Sequence, residues 1–163
     1  MGAQASEEYD WWFRAAYSSI SRTVFLILHD SASAEEVAQD AFVQLYRHWS
    51  TVQGYERPDL WVRRVAIRLA VRRVKRDRMR SERERLAVVE PHEQLPDLDV
   101  VRAVAELSPM QRAAVVLYYW ADESVFDIAR TLGVSESSVK QHLFRARSRL
   151  AALLDEEVSG DVG

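Results

Sequence analysis

The sequence predicts an all-α protein: two small helical domains joined by a flexible linker, the C-terminal one with a helix-turn-helix. Three observations carry this. Apolar residues recur at steps of three and four in each patterned segment, and nowhere with the period of two that a strand requires. Residues 87–98, AVVEPHEQLPDL, keep no such pattern and hold two prolines with an acidic bias, the composition of a linker. Residues 124–150, SVFDIARTLGVSESSVKQHLFRARSRL, read as two helices around a tight turn.

Taken in order, residues 1–8 predict no structure, and a first helix runs from about Tyr9 to His29. Phe13, Tyr17, Ile20, Val24 and Leu28 form its buried stripe at steps of four, three, four and four. Ser33 opens a second helix, with Glu36 three residues on to complete a capping box. Val37, Ala41, Leu45 and Trp49 face inward there, with Ala38 and Phe42 beside them, and Glu36, Gln39, Asp40 and Arg47 stay on the polar side. Residues 50–57, STVQGYER, form a loop, and Pro58 suits the first turn of a third helix. Trp61, Val65 and Leu69, flanked by Val62 and Ala66, form its apolar face. Its helical pattern decays through RDRMRSERERL.

A helix resumes near Val100–Leu107. Ser108, Pro109 and Gln111 then supply a cap, a first-turn proline and a box-closing side chain for a helix through about Trp120, which buries Ala113, Val116, Leu117 and Trp120. Phe126, Ile128, Ala129 and Leu132 supply the contacts of the first helix of the helix-turn-helix, and Gly133 suits the positive φ of its end. Ser135 caps the second, whose Val139, Leu143, Ala146 and Leu150 make one dry face. Opposite lie Ser138, Gln141, Arg145 and Arg149, with Lys140 and His142 on the flanks: a cationic, hydrogen-bonding front suited to the DNA major groove.

The formal net charge of −3 hides its distribution. Residues 55–85 hold twelve Arg or Lys against five Asp or Glu, and every other part of the chain is net negative. Arg64, Arg68 and Lys75 stand at i, i+4 and i+11 with Arg72 at the stripe's edge and Arg76 beyond. Their mutual repulsion is relieved by a polyanion laid along them, and local fields rather than net charge steer such a ligand. Tyr55, with Trp49 and Trp61, offers rings on which bases stack.

Other chemistry is missing. There is no cysteine, which excludes disulfides and thiolate zinc sites and fits a reducing cytoplasm. His29, His48, His92 and His142 have no ligand spacing, and no phosphate loop or catalytic triad can be drawn, so neither a metal, a cofactor nor an enzyme is expected. No apolar run approaches the ~20 residues that span a bilayer, and MGAQASEEYD lacks the regions of a signal peptide.

With these parts laid out, the chain from about residue 10 to 154 resembles the extracytoplasmic-function sigma factors of bacterial RNA polymerase. AEEVAQDAFVQLYRHW resembles their second conserved region, LWVRRVAIRLAVRRVKR their −10 helix, and LSPMQRAAVVLYYW with DIARTLGVSESSVKQHLFRARSRL their −35-reading domain. The resemblance implies that Glu36, Gln39, Asp40 and Phe42 dock on core polymerase. Residues 9–86 would form the domain for polymerase and the −10 element, 87–98 the linker, and 99–154 the −35 domain. Extruded bases would enter the loop from Trp49 to Pro58, at Tyr55, while Arg64, Arg68, Arg72, Lys75 and Arg76 hold phosphates. Ser138, Lys140, Gln141, His142, Arg145 and Arg149 would meet the −35 element. The resemblance also implies a cognate anti-sigma protein. The chain departs from the family at Arg68, where Asn is usual, at Arg72, at Val125-Phe126, at Ser137-Ser138 and at Gln141-His142, which bears on the promoter recognised. A sigma mimic that sequesters an anti-sigma factor is the alternative, and the basic segment counts against it.

Overall fold

The structure, a computed structural model, describes residues 2–80 and 97–160, with side chains to 77 in the first stretch and to 155 in the second. Every element among them is a helix: α1 (Ala3–Leu28), α2 (Ser31–Arg47), the single turn α3 (Trp49–Val52) and α4 (Pro58–Arg80), then α5 (Leu98–Ala105), α6 (Pro109–Tyr119), α7 (Val125–Leu132) and α8 (Glu136–Gly160). The predicted decay starts at Arg76, but α4 stays helical to Arg80, where its backbone hydrogen bonding continues; the rest of that stretch and most of the linker, 81–96, lie outside the described residues.

In the N-terminal half, α1, α2 and α4 pack on one another. The helix begins at Ala3 rather than Tyr9. It ends at His29, whose φ of 54° lets its N–H reach the Phe25 carbonyl at 2.7 Å. The cap of α2 is Asp30, not Ser33: its carboxylate accepts the Ser33 N–H at 2.8 Å. Glu36 is thereby left out of a capping box and accepts from Arg73 of α4 at 2.6 Å. On α4 the buried face is Val62, Ala66, Ile67, Ala70 and Val71, while the expected Trp61, Val65 and Leu69 are half-buried. The face is turned by about one residue because α4 meets helices of both halves of the molecule.

In the C-terminal half Asp97 accepts the Asp99 N–H and starts α5 at Leu98, inside the span expected to be linker. Ser108 caps α6 as predicted, accepting from the Gln111 N–H, with Pro109 at the first position. Trp120 falls just past the helix and stays 38% exposed, contrary to expectation, because the chain turns away at Asp122 (φ 53°). The helix-turn-helix follows the sequence closely. Ser124 caps α7, Gly133 ends it at φ 68°, and the Ser135 hydroxyl accepts the Ser138 N–H at 3.1 Å. Phe126, predicted as a contact, is instead exposed with the Arg130 guanidinium 5.7 Å from its ring centre. Ile128 and Ala129 carry the packing of α7.

One continuous apolar core joins the two halves. The end of α1, Val24–Ile27, is buried on all sides, since α2 and α4 cover one flank and α5 and α6 the other. Each fully buried Val, Leu, Ile or Phe contributes about 1.5–3 kcal/mol before the entropy of ordering it. The seam between the halves is therefore core, not a chance touch.

Candidate polymerase and nucleic-acid interface

On α8, Val139, Leu143 and Ala146 are buried against α6 and α7. This fixes the opposite side outward: Lys140, Gln141, Arg145 and Arg149 are exposed. Ser138 is half-buried, and its hydroxyl accepts from Ser135 at 3.0 Å, leaving its own proton and one lone pair for a ligand. His142 is half-buried too. Burial, then Arg145, then Lys75 lower its pKa below the usual histidine value.

On α4, Arg72, Lys75 and Arg76 are exposed. Arg64 and Arg68 are already engaged. Arg64 lies 3.4 Å from the Asp127 carboxylate, and Arg68 donates to the Thr131 and Arg130 carbonyls at 2.9 and 3.0 Å. The predicted base-capturing loop is shorter than expected. Trp49 is 2% exposed, edge-on to Tyr9, and opens α3, so only residues 53–57 project, with Tyr55 exposed among them.

On α2, Glu36, Gln39 and Asp40 are exposed along the side opposite Val37, Ala41 and Leu45. Phe42 is not with them. It is 1% exposed, with ring centres of Phe13 and Tyr17 at 4.9 and 5.5 Å, and therefore belongs to the core rather than to a docking surface. The large apolar side chains that this helix exposes are Val43 and Tyr46.

Two features escaped the sequence reading. Arg147 donates to the Tyr119 hydroxyl at 2.8 Å and stacks over Tyr118 and Tyr119, tying α8 to α6. Phe144 is 71% exposed. Its position next to Leu143, off the apolar stripe, was the available signal. Among the described residues no group of three His, Cys, Asp or Glu could hold a metal, and no helix is long and apolar enough to cross a membrane.

Residues 12–80 match the Sigma-70 region 2 family, and residues 97–150 match the Sigma-70, region 4 family. The ECF RNA polymerase sigma factor SigM of Mycobacterium tuberculosis is 30% identical over 155 residues, covering 90% of this chain and 76% of that protein. The chain belongs to the extracytoplasmic-function sigma factors. RNA polymerase sigma-E factor of Streptomyces coelicolor is similar at 29% identity, covering 95% of this chain and 89% of its own. The fold is that of the sigma factor RpoE from Bartonella quintana, solved with the anti-sigma factor NepR (TM-score 0.74, 20% identity, 91% of this chain and 98% of that one). CnrH, solved with the cytosolic domain of CnrY, has it too (TM-score 0.66, 21% identity, 94% of each chain). As a sigma factor the protein directs RNA polymerase to promoters, and the mimic alternative is not favoured, since both conserved regions are present. Sigma factors are initiation factors rather than enzymes.

Proposed function

We propose that this sigma factor meets core polymerase through Glu36, Gln39 and Asp40, holds −10 phosphates with Arg64, Arg68, Arg72, Lys75 and Arg76 beside Tyr55, and reads the −35 element with α8. The helices up to Arg80 serve polymerase and −10; those from Leu98 serve −35. Gln141 and Arg145 contact base edges, and Lys140 and Arg149 grip phosphates. Ser138 and His142 complete the surface as hydrogen-bonding groups. The protein works without covalent chemistry, on the cytoplasmic transcription machinery, and tethering two weak DNA sites raises affinity through effective concentration. An anti-sigma protein is its regulatory partner, as NepR is for the similar RpoE.

The observation that carries this reading is α8. Its dry face is seated through Val139, Leu143 and Ala146, and its cationic side chains Lys140, Arg145 and Arg149 are exposed. The test is run-off transcription from a randomised promoter pool with core polymerase. The wild-type protein should select starts that share a −35 and a −10 motif, and Arg145→Ala should lose −35 dependence. An unaltered −35 motif for Arg145→Ala would remove α8 from the reading.

A further inference from the structure

The loop between α3 and α4 is tied at both ends. On one side Trp49 and Val52 are 2% and 1% exposed and anchor α3 in the core. Behind them the Gly54 N–H donates to the Thr51 carbonyl at 3.3 Å and the Tyr55 N–H to the Val52 carbonyl at 2.9 Å, so the chain stays folded as far as Tyr55. On the other side Pro58 is buried and opens α4. Asp59 follows in the first turn of that helix, where the helix dipole favours an anion. Its carboxylate takes the Arg57 guanidinium as a fork: Nε donates to Oδ1 at 3.0 Å and Nη2 to Oδ2 at 2.7 Å. Between the two ties Tyr55 is 48% exposed, and the side chain of Arg57 is 57% exposed.

The fork decides what Arg57 still offers to a ligand. The Nε–Nη2 edge is one that grips a phosphate bidentately, and here the Asp59 carboxylate fills it and offsets its charge. The flat faces of the guanidinium remain, and a planar cation fixed in one orientation is a surface on which an unpaired base stacks. Tyr55 is two residues away, so the two Cα atoms lie within about 7 Å of each other. We propose that Arg57, held flat by Asp59, is a stacking platform beside Tyr55 for a base extruded from the −10 element, with Asp59 as its positioning residue. A loop ordered before the base arrives loses less entropy on capture. The inference rests on the reading of this loop as a −10 contact.

The test titrates holoenzyme into a fluorescent single-stranded oligonucleotide that carries the −10 motif selected in run-off transcription. Arg57→Ala with Asp59→Asn removes the pair without changing net charge. It should weaken binding at least about fivefold and leave the slope of log affinity against log salt in place. Arg57→Lys should bind as weakly, because an ammonium supplies charge but no flat face. Asp59→Asn alone should also weaken binding, and that loss should vanish where Arg57 is already Ala. Full affinity in Arg57→Lys, with a slope lower by about one unit in the double variant, identifies a phosphate contact and overturns the platform. Tighter binding with a steeper slope in Asp59→Asn overturns it too, since Asp59 would then be withholding Arg57 from phosphate. Tyr55→Ala separates the platform from the loop reading. If Tyr55→Ala weakens binding and the double variant does not, the platform alone falls; if neither does, the −10 role of the loop falls with it.

Discussion

At the scale of single residues, position on α2 separates packing from recognition. Phe42 fills core between α1 and α2, so Phe42→Ala should cost about 3–5 kcal/mol of stability. Gln39→Ala with Asp40→Ala touches no core contact and should leave the melting curve nearly in place while weakening the complex with core polymerase. Thermal denaturation beside a polymerase pull-down distinguishes the two; equal pull-down for the Gln39/Asp40 variant would remove that surface. On α8, Gln141 can pair bidentately with adenine, so Gln141→Ala should lose discrimination at one −35 base pair by about 1–3 kcal/mol. Lys140→Ala should weaken all promoters alike, as loss of a phosphate contact does. Selection on randomised −35 sequences checks this, and an identical preferred motif for wild type and Gln141→Ala would mean that the element is read through its shape.

At the scale of elements, α4 and α8 each have a seated face and a cationic one, and their charges do different work. Counterion release makes promoter affinity fall with salt in proportion to the phosphates held. Arg72→Ala with Lys75→Ala, both exposed, should lower the slope of log affinity against log salt by about one to two units. An unchanged slope in titrations of the holoenzyme would show them to be only solvated. The start of α8 depends on Ser135, which accepts the Ser138 N–H. Ser135→Ala should cost about 1 kcal/mol, read in chemical denaturation, with its effect on DNA binding concentrated at the −35 element.

At the scale of the molecule, the seam beside α1 gives a pH dependence. His29 is 5% exposed at the end of α1, and both ring nitrogens are buried without partners. Burial first, and then Arg112, lower its pKa from 6.5 to about 4, against a smaller opposing effect of the Leu26 backbone. The folded protein thus prefers the neutral ring, while the unfolded chain takes a proton from about pH 6.5 downward. Stability from this group is complete above that pH and is lost as pH falls toward 4, by about 3 kcal/mol at most. Glu123 acts in the opposite sense, since burial raises its pKa. Comparing wild type with His29→Asn isolates the histidine, because Asn tolerates the positive φ. The variant should lose less stability between pH 7 and 4.5; parallel curves would remove His29 as the cause.

The sequence by itself determined the helical class, the helix-turn-helix with its cap at Ser135 and its stop at Gly133, and the outward front of α8. These are local: a cap needs a hydroxyl at one place, and a 3.6-residue period assigns a face whenever the helix has one side to bury. Tertiary structure decided whatever depends on a second surface. Val24–Ile27 of α1 is buried on all flanks because helices from both halves cover it, which no stripe in α1 could announce. The same double contact turned α4 by about a residue. Tertiary packing likewise left Trp120 and Phe126 outside. It also set Arg64 and Arg68 against the end of α7, where residues 63 positions apart in the chain meet. A charge stripe shows where cations lie; only the packing of distant helices fixes which anion they find.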